Sequence, residues 1–288
     1  MPSRTRALIL GTLLTISAVP AGAADLVGAY RWDRDAEGHG GFSGIELSED
    51  GTEFVAISDR SRIVRGRILR EDGVITGIEA GPIERLLDLE GDRMSQDYGD
   101  SEGLAVGPDG DVYISFEGSA SRVWRYDGVH PTDLPRHPDF DLLSHNGALE
   151  ALAISQDGTL YTMPEVAPGG LPFPVWRLDG EEWDLAFTLE DRGYALVEAD
   201  FDDRGRLYVL ERRFLGIGFQ SRVRRIELDG DEVLSDEILF ESALREHDNL
   251  EGLSVWRDDA GHLRLTMISD DNFIALQRTE IVEYSVPD

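Results

Sequence analysis

The 288-residue sequence contains no cysteine and no lysine. Without cysteine the chain has no disulfide staples, no thiolate nucleophile and no Cys-ligated metal. Without lysine every strong cation is an arginine, and the 27 basic residues face 57 acidic ones for a formal net charge of −30. A surface so charged repels nucleic acid and anionic membranes and attracts cations. Long hydrophobic runs are also lacking, except for residues 7–19. That run follows Arg4 and Arg6 and precedes Ala21-Gly22-Ala23. Charged, apolar and small residues in that order predict a secretory signal over residues 1–23. The run is shorter than the roughly 20 residues a membrane span needs. The mature chain, 24–288, is therefore expected to be periplasmic or secreted, with no membrane span. Also missing are a GxSxG elbow, an HExxH zinc motif, EF-hand spacing and a glycine-rich phosphate loop.

What the chain has instead is repetition. Five segments align, beginning at Ser43 (SGIELSEDGTEFVAISDR), Glu102 (EGLAVGPDGDVYISFEG), Glu150 (EALAISQDGTLYTMPE), Glu198 (EADFDDRGRLYVLER) and Glu251 (EGLSVWRDDAGHLRLTMISDD). Each reads as a strand, a turn such as Asp109-Gly110, and a second strand. Asp-Gly suits a two-residue hairpin turn. A third strand follows in similar words, Ser61-Arg62, Ser121-Arg122 and Ser221-Arg222 at its start, and then a weaker fourth, placed at 83–89 in the first repeat. Helical periodicity is absent, and alternation of apolar and polar residues fits half-buried antiparallel strands. Repeats near 50 residues with several strands each predict an all-β fold, a single β-propeller. Five blades are expected, six being the alternative if 63–89 holds parts of two. Residues 279–286 would be the third strand of the last blade and 26–32 its fourth. Both termini in one blade would close the ring and leave no open sheet edge.

In a propeller the first strand of each blade lines the channel. Glu102, Glu150, Glu198 and Glu251 open four of these strands, and Asp59, Glu117, Glu165, Glu211 and Asp270 end the second strands. The hairpin brings both sets to one face of the disc. So many carboxylates repel unless a cation compensates. Ca²⁺, which takes six to eight oxygen ligands in adaptable geometry, is the expected partner. Glu102, Glu150, Glu198 and Glu251 are its candidate ligands, supplemented by Asp270 and Asn272. Four residues before each inner strand lie His39, Tyr98, Asn146, Tyr194 and His247, with His145 beside Asn146. His39, His145 and His247 are candidate acid–base groups; Tyr98, Tyr194, Arg60 and Arg212 are candidate contacts for an anionic substrate.

Ser43-Gly44-Ile45, the Glu-Gly-Leu and Glu-Ala-Leu strand starts, and ISDDNF at 268–273 followed by Gln277-Arg278-Thr279 resemble the phytase-like, or "esterase-like activity of phytase", domain of exported bacterial proteins. The resemblance covers nearly all of 24–288 and implies a β-propeller acting on phosphate or carboxylic esters. Acids around a channel are also similar to gluconolactonase-type propellers, in which one calcium holds substrate. The expectation is thus a Ca²⁺-dependent hydrolase of a small anionic ester, phosphate ester or lactone. The alternative is a non-catalytic propeller that binds a ligand or protein around a structural calcium.

Overall fold

The computed structural model describes residues 24–288; the expected secretory signal lies outside the described residues. Five four-stranded antiparallel sheets stand around an axis. Blade 1 is β2 (Phe42–Leu47), β3 (Glu53–Ser58), β4 (Arg62–Glu71) and β5 (Val74–Arg85). Blade 2 is β6 (Ser101–Val106), β7 (Val112–Phe116), β8 (Arg122–Asp127) and β9 (His130–Asp133). Blade 3 is β10 (Leu149–Ile154), β11 (Leu160–Pro164), β12 (Phe173–Asp179) and β13 (Glu182–Leu189). Blade 4 is β14 (Ala195–Phe201), β15 (Leu207–Phe214), β16 (Phe219–Asp229) and β17 (Glu232–Glu241). Blade 5 is β18 (Asn249–Arg257), β19 (Leu263–Asp270), β20 (Glu280–Val286) and, as its outermost strand, β1 (Asp25–Arg31). Among the described residues there is no α-helix, and no helix is long and apolar enough to cross a membrane.

The closure expected from the sequence is present. β1 pairs with β20 from Asp25↔Ser285 to Arg31↔Glu280, so the two ends of the domain share one blade. Trp32, just beyond β1, is buried and stacks on Phe42 of blade 1 with ring centroids 4.9 Å apart. The six-bladed alternative fails because residues 62–85 form one long hairpin, β4–β5, turned at Asp72-Gly73 with both residues at positive φ. The fourth strand of blade 1 is thus Val74–Arg85, not 83–89.

Burial follows the seams between blades. Ile57 and Ile63 of blade 1 meet Leu104 and Ile114 of blade 2, and Ala153 and Val175 of blade 3 meet Leu196 and Val209 of blade 4. The other seams hold Ala105 with Leu152, Leu210 with Leu253, and Ile45 with Ile268. Each strand alternates one side chain toward each neighbouring blade, which is the period-2 pattern of a sheet covered on both faces.

The hairpins are less tight than Asp-Gly suggested. Gly107 donates its N–H to Asp111 O, and Gly110 to Gly107 O, so β6 and β7 are joined by a five-residue loop with Gly110 at φ 87°. The same turn recurs around Gly158, Gly205 and Gly261, each left-handed. Where inner strands approach most closely the residue must be small. A Cβ on Gly103 would sit 2.2 Å from Glu150 O, and one on Gly252 2.7 Å from Ile45 N. Both contacts are main chain, which cannot rotate aside. Gly103→Ala is therefore expected to cost about 1–3 kcal/mol through overpacking, read as a lower urea midpoint at unchanged slope.

Candidate metal centre

Each inner strand carries a bulge near its start, and the bulge decides which side chain reaches the channel mouth. The unpaired residues are Ser43, Glu102, Glu150, Val197 and Glu251. Blade 4 therefore departs from the expected alignment by one residue: Val197, not Glu198, stands where blades 2, 3 and 5 place glutamate. Its second strand is shifted too. Ala195 pairs with Arg212 as Asn249 pairs with Asp270, so Arg212, not Glu211, occupies the place of Asp59, Glu117, Glu165 and Asp270. A one-residue slip sends every side chain to the other face. The signal was in the spacing: Glu102 to Glu117, Glu150 to Glu165 and Val197 to Arg212 are the same interval, whereas Glu198 and Glu211 lie closer together.

The mouth is thus a ring of carboxylates with an arginine built into blade 4, and it has two halves. In the first, Arg212 Nη1 lies 2.9 Å from Glu251 and donates to Asn249 Oδ1 at 2.6 Å, while Nη2 lies 3.2 Å from Glu165 and 3.9 Å from Glu150. Asn249 Nδ2 donates to Glu251 at 2.7 Å and completes the network. Surrounding carboxylates raise the guanidinium's pKa against the opposing effect of burial, so Arg212 is a permanent cation.

In the second half, Asp100, Glu102 and Glu117 of blade 2 bring carboxylate oxygens within 4.8 Å of one another. Opposite ligands of one Ca²⁺ are separated by roughly twice its 2.3–2.6 Å bond length, so this spacing fits a single coordination shell. The donors are hard oxygens, as that ion requires. Burial followed by neighbouring carboxylates raises Asp100 to about 6 and holds Glu102 well above the usual range. Glu117 is also raised by burial, although its Oε2 accepts from Gly147 N at 2.7 Å and Ala148 N at 3.1 Å. The three acids thus form a mutually repelling set, of which Glu117 is fixed by main chain, and a cation would relieve it. Asp100 was not anticipated from sequence, because its equivalents are Gly41, Ala148, Ala195 and Asn249.

Of the four glutamates expected as ligands, Glu102 joins this set and Glu150 and Glu251 face Arg212. Glu198 lies deeper, completely buried. Its carboxylate spans the channel from blade 4, accepting from Leu104 N at 3.1 Å, Leu152 N at 2.9 Å and its neighbour Ala199 N at 3.0 Å. Burial raises its pKa, and the three N–H donors oppose the rise. Its Oε2 lies against Gly44, where a Cβ would fall 3.4 Å from it. Glu211 points into blade 4, paired with Arg222 and with Arg224 at 2.7 Å. Asp270 is at the mouth, raised to about 6 by burial. Asn272 is an exposed turn residue at φ 48°, its N–H donating to Asp270 Oδ1 at 2.6 Å.

The histidines separate cleanly. His145 Nε2 lies 2.8 Å from Asp97 Oδ1, exposed at the rim near Asp100 and Glu117. His39 bonds Trp32 O through Nε2 at 2.8 Å and packs against Trp32 and Phe42. His247 is buried with Nε2 2.7 Å from Tyr284 Oη. Burial lowers the pKa of both. Tyr98 and Tyr194 cover the guanidinium groups of Arg122 and Arg222, at 4.0 and 3.9 Å. Arg60 lies over the Phe273 ring at 3.6 Å. A cavity of ≈ 240 Å³ beside His145 is lined by Gly118, Ser119, Ser121, Phe140 and Ser144 among others.

Residues 37–273 match the family described as phytase-like, "esterase-like activity of phytase". The chain belongs to that family. No curated protein matches it. Among solved structures it is similar to a PQQ-bound aldose sugar dehydrogenase from Streptomyces coelicolor, at 14% identity over 92% of this chain and 99% of that one, with a TM-score of 0.49. The calcium-binding protein regucalcin from Agrobacterium tumefaciens is 14% identical over 85% of this chain and 91% of its own, TM-score 0.49. A gluconolactonase from Xanthomonas campestris is 15% identical over 85% and 72%, TM-score 0.46.

Two outcomes are expected. Glu198→Ala strands buried N–H groups at Leu104 and Leu152 and opens a cavity, at a cost of about 3–5 kcal/mol, yet leaves calcium affinity by titration calorimetry unchanged. Second, Asp59, Asp200 and Glu251 are raised to about 7, 7 and 8. Folded carboxyls with raised pKa bind more protons than unfolded ones, so stability present at acid pH is lost as pH rises through the folded values. The thermal midpoint in chelator should fall between about pH 4.5 and 8, and calcium should recover part of the loss.

Proposed function

We propose that this protein is a metal-dependent hydrolase of a small anionic ester, phosphate ester or lactone, acting outside the cytoplasm at the channel mouth. The observation that carries the reading is the convergence of Asp100, Glu102 and Glu117 near a rim histidine, His145. Family membership supports ester chemistry, and hard carboxylate oxygens favour Ca²⁺.

A cation in this site supplies charge that polarises the substrate oxygen and makes a nearby water more acidic. Glu117 is aimed by the two N–H groups of Gly147 and Ala148, so one oxygen is held and the other is left for a ligand. His145, whose Nε2 lies 2.8 Å from Asp97 Oδ1, is the imidazole placed to take the water's proton. Arg212 is committed to Glu150, Glu165 and Glu251, so its part is to keep that half of the ring charge-balanced.

Turnover of aryl esters, phosphate monoesters and lactones, each with calcium and with chelator, tests the reading. Calcium-dependent turnover of one class is expected; Glu102→Gln should abolish calcium binding, and His145→Ala should lower kcat by about 10²–10⁴-fold with calcium affinity intact. Calcium binding without turnover of any class would make the protein a binding propeller instead.

A further inference from the structure

The third strands of three blades carry the same Ser-Arg pair at or near their start, yet the three arginines have different surroundings. Arg122 is buried and enclosed by the rings of Tyr98, Phe116 and Trp124 at 4.0, 4.2 and 4.0 Å, and it donates to Ala120 O and Tyr98 O. Arg222 is covered by Tyr194 and bonded to Glu211. In both blades the covering tyrosine comes from the loop before the inner strand. Blade 1 has His39 at that place, and its ring is turned onto Trp32 and Phe42. The guanidinium of Arg62 is left without an aromatic cover. It lies instead against the main chain at Gly38, where a Cβ would fall 1.7 Å from Nη1.

What replaces the missing ring is a cavity of ≈ 220 Å³ lined by Arg60, Arg62, Arg85, Ser61, Ser95 and Gln96, with Met94. Arg62 opens β4 and Arg85 closes β5 as its cross-strand partner, so the two are neighbours by register. Arg60 adjoins Asp59, and all three stand on the face of the disc that carries the acidic mouth. Burial first, and then Arg85 and Arg60, depress the pKa of Arg62, while Glu37 and Asp59 are the carboxylates that act on it in the other sense. Among the described residues none of the three guanidinium groups is in a carboxylate ion pair, in a chain where acids outnumber bases two to one. Like charges held together at a cavity cost free energy unless an anion joins them, and guanidinium groups match oxyanions through paired N–H donors.

We infer that the cavity between blades 1 and 2 is an oxyanion site, in which Arg60, Arg62 and Arg85 take a doubly charged phosphoryl-type group. The inference rests on the proposed hydrolase only in assigning that group to a substrate. Binding itself is independent of the metal and of turnover, so the two readings fail separately.

The test is titration with inorganic phosphate, and in a parallel arm with phenyl phosphate, in chelator at constant ionic strength, against acetate as the singly charged control. Saturable binding of phosphate, at least tenfold tighter than acetate, is expected. Arg62→Gln with Arg85→Gln should weaken it by tenfold or more, while Glu102→Gln, which removes a metal ligand, should leave it unchanged. Phenyl phosphate binding as tightly as phosphate identifies a substituent of a larger molecule; phosphate alone identifies the free ion. A thermal midpoint in the double variant equal to or above that of the parent shows that like-charge relief, not misfolding, accompanies the loss. No saturable phosphate binding, or equal binding by the double variant, overturns the inference.

Discussion

Carboxylates that face one another across a few ångströms repel, and in this molecule only a closed ring of sheets holds them in place. The inner strands supply the acids, but no single blade contains the site. Glu117 depends on main-chain donors from the loop entering blade 3, and the acids of blades 3 and 5 depend on an arginine from blade 4. Ring closure by β1 against β20 is therefore a condition for the site as well as for the fold. The strain of assembling the mouth is spread over apolar seams that join each blade to the next.

The two halves of the mouth meet the same electrostatic problem by different means. One half carries its own cation, Arg212, at the position where the four other blades have aspartate or glutamate. The other half has a compact oxygen set of the size a divalent ion needs. A built-in guanidinium is planar and saturated by its partners, which suits a structural role. A bound ion can accept further ligands, which suits chemistry. Position in the ring, more than residue type, distinguishes the acids that hold structure from those available for exchange. Glu198 is the extreme case: a glutamate on an inner strand whose bonds to blades 2 and 3 tie the ring together across its axis.

Much of the architecture was legible in the chain because propeller blades repeat it in order. The five turn-centred segments, the Ser-Arg strand starts and the pairing of residues 26–32 with 279–286 all carry over to the structure. What misled was a local coincidence. Glu198 and Glu211 each sit beside the equivalent position and carry the residue type expected there, so composition favoured the wrong register. Nor did register predict the histidines' surroundings: His39 and His247 share a loop position, but one finds a tryptophan carbonyl and the other a tyrosine hydroxyl.

The amino-acid sequence by itself determined the class of fold, the five repeats that build it and the face on which the acids gather, because strand period and turn chemistry are properties of consecutive residues. Only the tertiary structure decided which acids meet, that Arg212 rather than a metal balances one side, and that Arg62 lacks the aromatic cover of its counterparts. Those outcomes turn on single-residue bulges and on side chains from different blades. Distances between such groups are set when the ring closes, and no interval along the chain encodes them directly.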